Sequence, residues 1–396
     1  MVSVPARPVP LSILATLIAS GLLAVPAPAS PMGDVGLPGG ASVVAVVRLG
    51  IAPLGPLLDP ARDRMYVVNA GSDSVSVVDT DDYRVLDTIK VGDDVGAGVL
   101  DSRTHRLYVP MSEARRVAVI DTQANEVIET IRVGILPENL VIDRRHQQLF
   151  VPNALSGTVT VVDTRTNTVA ATIDLAAAPG VISSDEPPLI GEAPVLDADR
   201  GLLYVAGSPV SVLEDGLVWV IDARTHEFIA TIPVGRAPDG LALDGERGRL
   251  FVANHRSDTV SVVDTSANRV VATISVPVYG TIAYDSVAQK LYIPDRNDGL
   301  SVVSTRRNTV IDAIPTGKWP EPVVDAEARR LYVATYDGHV AVLDTRTYRQ
   351  LGTIEFTGWP QAPVLDPDHG RMYVPDWAEL EVFNSVFVVD THYFRK

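Results

Sequence analysis

The chain is a tandem copy of one unit. Eight times an aromatic residue followed by Val or Ile opens a short apolar run, at Tyr66, Tyr108, Phe150, Tyr204, Phe251, Tyr292, Tyr332 and Tyr373. About ten residues later comes a Val-Val-Asp-Thr-like run, ending at Asp79, Asp121, Asp163, Asp222, Asp264, Ser304, Asp344 and Asp390. The spacings between successive aromatics are 42, 42, 54, 47, 41, 40 and 41 residues. A fixed period of this size means one supersecondary unit stacked on its copies. Within the first unit, β-branched and aromatic runs around residues 57–59, 64–68, 74–79 and 84–89 are separated by Asp, Gly, Pro and Asn clusters, the pattern of a four-stranded antiparallel meander. Four strands in about 40 residues make a propeller blade. The reading is therefore all-β, an eight-bladed β-propeller, with seven blades as the alternative because the unit around Gly191 to Asp222 is degenerate.

The two ends of the repeat complement each other. After Asp390 too little chain remains for a fourth strand, whereas residues 43–49 look like a fourth strand with no earlier strands of their own. The N-terminal strand is expected to pair into the C-terminal blade and so remove the two exposed sheet edges. Residues 43–396 form the propeller domain in this reading, and residues 30–42 a flexible linker. Residues 1–29 read as a secretory signal peptide, with Arg7 as the one charge, a 15-residue apolar run over 11–25, and Ala27-Pro28-Ala29 as the cleavage pattern. The protein is expected to be secreted, or at the cell surface or in the periplasm, with no membrane insertion and as a monomer.

Composition excludes several classes. With no cysteine there is no disulfide, no thiolate metal site and no c-type haem attachment. A net charge of -16 argues against nucleic acid, which demands clustered Lys and Arg. No phosphate-binding glycine loop or dinucleotide fingerprint occurs, so no nucleotide is expected, and no Gly-x-Ser-x-Gly elbow marks a serine hydrolase.

The runs Tyr66-Val67-Val68-Asn69, Phe150-Val151-Pro152-Asn153 and Phe251-Val252-Ala253-Asn254, each followed by a Val-Val-Asp-Thr-like strand, resemble the YVTN β-propeller repeat family. The resemblance covers nearly all of residues 43–396. It implies a propeller, often seven-bladed and exported.

Function is sought where the repeat breaks. The insertions at residues 173–194, 207–216 and 376–385 all fall in loops expected at one end of the ring, as a binding face requires. At the entry to the innermost strands the sequence offers Glu138, Glu192, Asp239, Glu321 and Gln361, expected to ring the channel mouth. The four carboxylates are candidates for a divalent cation, calcium or manganese, or for a cationic ligand. Trp319, Trp359 and Trp377, with Tyr279 and Tyr336, belong to the same loops and suit a cationic or sugar-like molecule. His255 lies there too and is the candidate general base. These residues predict a binding or interaction module for a small molecule or protein at the loop face. The rivals are a metal-assisted lyase or hydrolase built from the scattered carboxylates, and, more weakly, a haem-handling propeller.

Overall fold

The computed structural model describes residues 43–181, 187–191, 194–209, 214–296, 298–356, 358–377 and 384–394. The signal-peptide and linker expectations for residues 1–42 lie outside them. Eight antiparallel sheets follow one another, each of four or five strands. Blade 1 consists of Leu57–Asp59, Arg64–Asn69, Ser74–Asp79 and Val85–Lys90, and its first strand contacts the first strand of blade 2, Val99–Asp101. The eight sheets are eight blades, so the seven-blade alternative is set aside. The degenerate unit is a full blade 4, in which Leu189–Ile190 adds a fifth short strand beside Leu202–Ser208.

Closure is as the ends of the sequence predict. The strand Val43–Arg48 pairs antiparallel with Ser385–Asp390, from Val43 opposite Val389 to Arg48 opposite Ser385. It supplies the outer strand of blade 8, whose inner strands are Val364–Asp366 and Arg371–Trp377. Its inward side chains Ala45 and Val47 are buried among Met65 and Val67 of blade 1 and Val386 and Val388 of blade 8. Apolar burial across this seam supplies the driving force for closure.

The repeat positions have readable jobs. The eight aromatics are all buried, and several are struts between blades: the hydroxyl of Tyr66 donates to Thr122 O, that of Tyr108 to Thr164 O and that of Tyr292 to Thr345 O, each in the next blade. Tyr66→Phe should therefore destabilise the ring by about 1 kcal/mol, the worth of one buried hydrogen bond, read as a shift of the denaturant midpoint with an unchanged slope. Asp163 accepts from the amides of Arg165 and Thr166 while Asn167 turns left-handed at φ 56, and Asp264 with Asn268 repeats the device. These are mechanical turn roles. The Asn that ends the second strand is a clamp: Asn69 Nδ2 donates to Ser74 and Ser76 Oγ, Asn153 to Thr158 and Thr160 Oγ1, and Asn254 to Thr259 Oγ1 and Ser261 Oγ.

Candidate functional site

The loops between second and third strands, and those leading into the next blade, meet at one end of the ring. Backbone bonds join them: Ala70 N–H donates to Ala52 O, Ser112 to Asp94 O, Ala154 to Leu136 O and His255 to Ala237 O. Parts of all three insertions, residues 182–186 and 192–193 of the first, 210–213 of the second and 378–383 of the third, lie outside the described residues, so these loops are placed by the strands that bound them.

Strand pairing makes the loops comparable from blade to blade. Pro53 opposes Asn69, Pro137 opposes Asn153, Pro238 opposes Asn254 and Pro360 opposes Asp376. The residue before that proline is Ala52 in blade 1, Leu136 in blade 3 and Ala237 in blade 5, but Trp319 in blade 7 and Trp359 in blade 8. The residue after the position of that Asn is Ala70, Ser112 and Ala154 in blades 1 to 3 and Ser208 in blade 4, but His255 in blade 5, Tyr336 in blade 7 and Trp377 in blade 8. In blade 6 the ring comes from Tyr279, whose amide donates to Pro294 O. The fold thus accepts small side chains here, and blades 5 to 8 carry aromatics instead. Trp319 even occupies a left-handed turn, φ 47, shared with Ala52 at φ 52 and Ala237 at φ 48, a conformation in which a bulky side chain is unfavourable.

These rings touch in series. His255 lies 5.5 Å from Tyr279 between centroids, Tyr279 stacks on Trp319 at 6.3 Å, Trp319 meets Tyr336 tilted by 50° at 4.9 Å, and Tyr336 stacks on Trp359 at 4.8 Å with planes 12° apart. Trp359 opposes Trp377 across the strand pair, and the Trp377 indole donates to Pro53 O of blade 1 at 2.7 Å. The result is an aromatic arc over four blades. Trp319 is 39% and Tyr336 41% exposed, where burial would have been the default for such large rings. The sequence expected Trp319, Trp359 and Trp377 in one loop set, and the structure brings them together with His255.

The carboxylates are less united. Glu138 and Asp239 stand at the expected entry to the inner strands, half-buried, with Glu138 N–H donating to Pro152 O as Gln361 N–H does to Pro375 O. Glu321 is also in register, opposite Ala334, but its Oε2 accepts from Ala362 N–H of blade 8 at 2.6 Å and so clasps two blades. In blade 4 the equivalent place is taken by Gly191, whose amide donates to Ala206 O. Glu192, the residue expected there, lies outside the described residues. Among the described residues no three His, Asp or Glu side chains gather to hold a metal ion. Gln361 turns its side-chain amide back onto Trp359 O.

One acid was missed. Asp376 stands at the strand end where blades 1, 3 and 5 have the clamping Asn and blade 6 has Asp295. It is 1% exposed, and neither carboxylate oxygen has a well-formed hydrogen bond among the described residues. Burial pushes it up to about 7, with the Gly358 amide working weakly in the opposite direction. Its Oδ1 lies against the Gly358 backbone, so closely that a Cβ there would come within 2.7 Å. The signal was available by aligning strand ends: Asn69, Asn153 and Asn254 against Asp376. Of the histidines in turns at the far end, His146 and His369 are exposed and paired with Asp143 and Asp366, whereas His105 is half-buried against Arg62 of blade 1.

No family model matches the chain. A stretch of 79 residues is 30% identical to the uncharacterized protein YncE of Salmonella typhi and of Salmonella typhimurium, over 20% of this chain and 21% of theirs. The match thus spans about a fifth of those curated relatives. Among solved structures, BamB from Moraxella catarrhalis superposes with a TM-score of 0.66 at 14% identity, over 88% of this chain and 99% of that one. The dihydro-heme d1 dehydrogenase NirN in complex with DHE gives 0.69 at 15% identity, over 88% and 76%, and the computationally designed Ika8 protein 0.67 at 11%, over 87% and 98%. At these identities the likeness is one of fold. No helix among the described residues is long and apolar enough to cross a membrane.

Proposed function

We propose that this protein is an exported binding module, and that its ligand lies along the aromatic arc on blades 5 to 8. The observation that carries the reading is positional: the same two loop sites hold Ala, Ser or Leu in blades 1, 3 and 4 and stacked, partly exposed aromatics in blades 7 and 8. A scaffold that folds with alanine at a site has no structural need of tryptophan there. Preformed flat apolar faces present large contact area at little cost in side-chain ordering. Glu138, Asp239 and Glu321, at the neighbouring inner-strand entries, give that face an acidic rim. A propeller that works by binding fits its fold, which positions loops on a rigid ring.

The chain carries its own reporter. Of its four tryptophans, Trp219 is fully buried in blade 4 and the other three are in or beside the arc. Ligand bound at the arc should therefore change the emission of the exposed tryptophans while that of Trp219 stays constant. Trp319→Ala and Tyr336→Ala should each weaken binding about tenfold or more, in keeping with aromatic anchors elsewhere, with the melting temperature within a few degrees of the parent. Retained affinity in the double variant would remove the arc from consideration.

A further inference from the structure

We infer that the far end of the joint between blades 3 and 4 holds an oxyanion site, built for a phosphate-like group on Arg145 and Arg224 with His146 beside them. It lies at the opposite end of the ring from the aromatic arc and is separate from the binding reading above. What marks it is a break in the repeat.

At several other joints the far ends of neighbouring blades are tied together. Three residues after the Asp that closes the first strand, Arg62 of blade 1 reaches Thr122 Oγ1 of blade 2, and Arg200 of blade 4 reaches Thr265 Oγ1 of blade 5. The hydroxyls of Tyr66, Tyr108 and Tyr292 add a bond to the carbonyl of the next blade's threonine. The joint between blades 3 and 4 lacks both ties. His146 stands in the arginine place, and its Nδ1 donates to Asp143 of its own blade at 2.7 Å. Phe150 stands in the tyrosine place and brings no hydroxyl. The residue after the third strand, threonine in every other blade, is Ala223 in blade 4.

An open cavity of about 140 Å³ lies here, lined by Arg145 and His146 of blade 3 and by Asp199, Arg200, Asp222 and Arg224 of blade 4. One water needs about 10–15 Å³ of such space, so a tetrahedral oxyanion fits together with its first waters. Arg200 is held by Asp197 and Thr265, and Asp222 Oδ1 by the amides of Arg224 and Thr225. The guanidinium groups of Arg145 and Arg224 close no hydrogen bond or ion pair among the described residues, although Asp199 and Asp222 stand in the same lining. The bond from Nδ1 to buried Asp143 fixes the His146 ring and leaves Nε2 as its remaining polar atom. A bound anion favours the protonated ring, in which Nε2 donates.

Charge and shape select the ligand. The chain carries a net charge of -16, but at physiological salt that field is screened within about 8 Å. Local charge therefore decides, and the lining sets three arginines and a histidine against two carboxylates. Guanidinium forks match the edges of oxyanions. Because Arg145 and Arg224 come from different blades, one ligand must offer oxygens to both. A phosphoryl group does so, whereas a planar carboxylate has a single edge for a fork.

The test is calorimetric titration with inorganic phosphate in about 0.15 M sodium chloride, with acetate as the planar anion and phenyl phosphate to tell a free ion from a monoester. Phosphate should bind once per chain and about tenfold or more tightly than acetate. Arg145→Gln and Arg224→Gln should each weaken it about tenfold, the effect of losing one charge-assisted contact. Both side chains are exposed, so without phosphate these variants should melt within a few degrees of the parent. Arg269→Gln, at an exposed arginine on the outer strand of blade 5, should change nothing. Phosphate should raise the melting temperature of the parent but not of the double variant Arg145→Gln/Arg224→Gln. Phenyl phosphate bound as tightly as phosphate supports the site as one for monoesters, and its exclusion supports one for the free ion. No binding of phosphate, equal affinity for acetate, affinity retained in the double variant, or an equal loss in Arg269→Gln would each overturn the site.

Discussion

Val47→Asp should abolish cooperative folding of the ring. Val47 is fully buried in the closing strand, opposite Val386, and packs between blade 8 and blade 1 with Met65, Val67 and Tyr373. An aspartate there would bury a charge with no counter-ion, a change that costs about 3–5 kcal/mol or more. That approaches the whole net stability of an ordinary domain. It would also free the outer edge of Ser385–Asp390, an unpaired strand edge of the kind that recruits other chains. The expected outcome is a broad, early thermal transition and high-molecular-weight material on size exclusion, whereas Val47→Ala should cost about 2 kcal/mol and stay monodisperse. A Val47→Asp protein that melts within a few degrees of the parent would mean that the seam contributes little.

Asp376→Asn should do the opposite and stabilise the protein, by an amount that depends on pH. The carboxyl titrates near 7 in the folded ring and near 3.9 in an unfolded chain. Below about pH 4 it is protonated in both states and costs nothing. Between these values the unfolded chain gives up the proton while the folded protein keeps it, so stability declines as pH rises, and it levels off above about pH 7. The loss is on the order of 4 kcal/mol. Asn at this site remains neutral throughout, so the variant should exceed the parent by roughly that margin at pH 8 and match it at pH 4. Blade 8 offers the amide one hydroxyl, Ser385, where blade 1 offers Ser74 and Ser76, because Phe387 stands at the second place. Chemical denaturation at the two pH values checks both limits. Equal gains at pH 4 and pH 8 would show that packing, and not ionisation, is responsible.

What was legible in the sequence divides by range. The period, the four strands per unit and the strand supplied from the other end of the chain all depend on local pattern, and local pattern survives in sequence: the Tyr66 and Tyr108 positions differ by one repeat and land in equivalent strands. Trp319, Trp359 and Trp377 were legible as a loop set for the same reason. Their link to His255 through Tyr279 was not, because His255 leaves a second strand and Tyr279 enters a first, so contact between them depends on how neighbouring blades turn toward each other. Glu192 shows the limit from another side. Counting from a motif placed it at the strand entry, but backbone pairing gives that place to Gly191. Asp376 was passed over because one carboxylate among 49 acidic residues has no pattern of its own. It becomes conspicuous only beside Asn69, Asn153 and Asn254.

The ring closes with a strand from the opposite end of the chain, and the arc ends at that same seam. Trp377 hangs from the carbonyl of Pro53, 324 residues earlier, while Ala52 N–H is held by Asn384. A growing chain can shape blades 2 to 7 from neighbouring residues, but it cannot hold the last two tryptophans until the first strand returns to meet them. The aromatic arc is thus complete only in a molecule that has finished folding, and a partly folded chain, with its edges still open, would present an unfinished one.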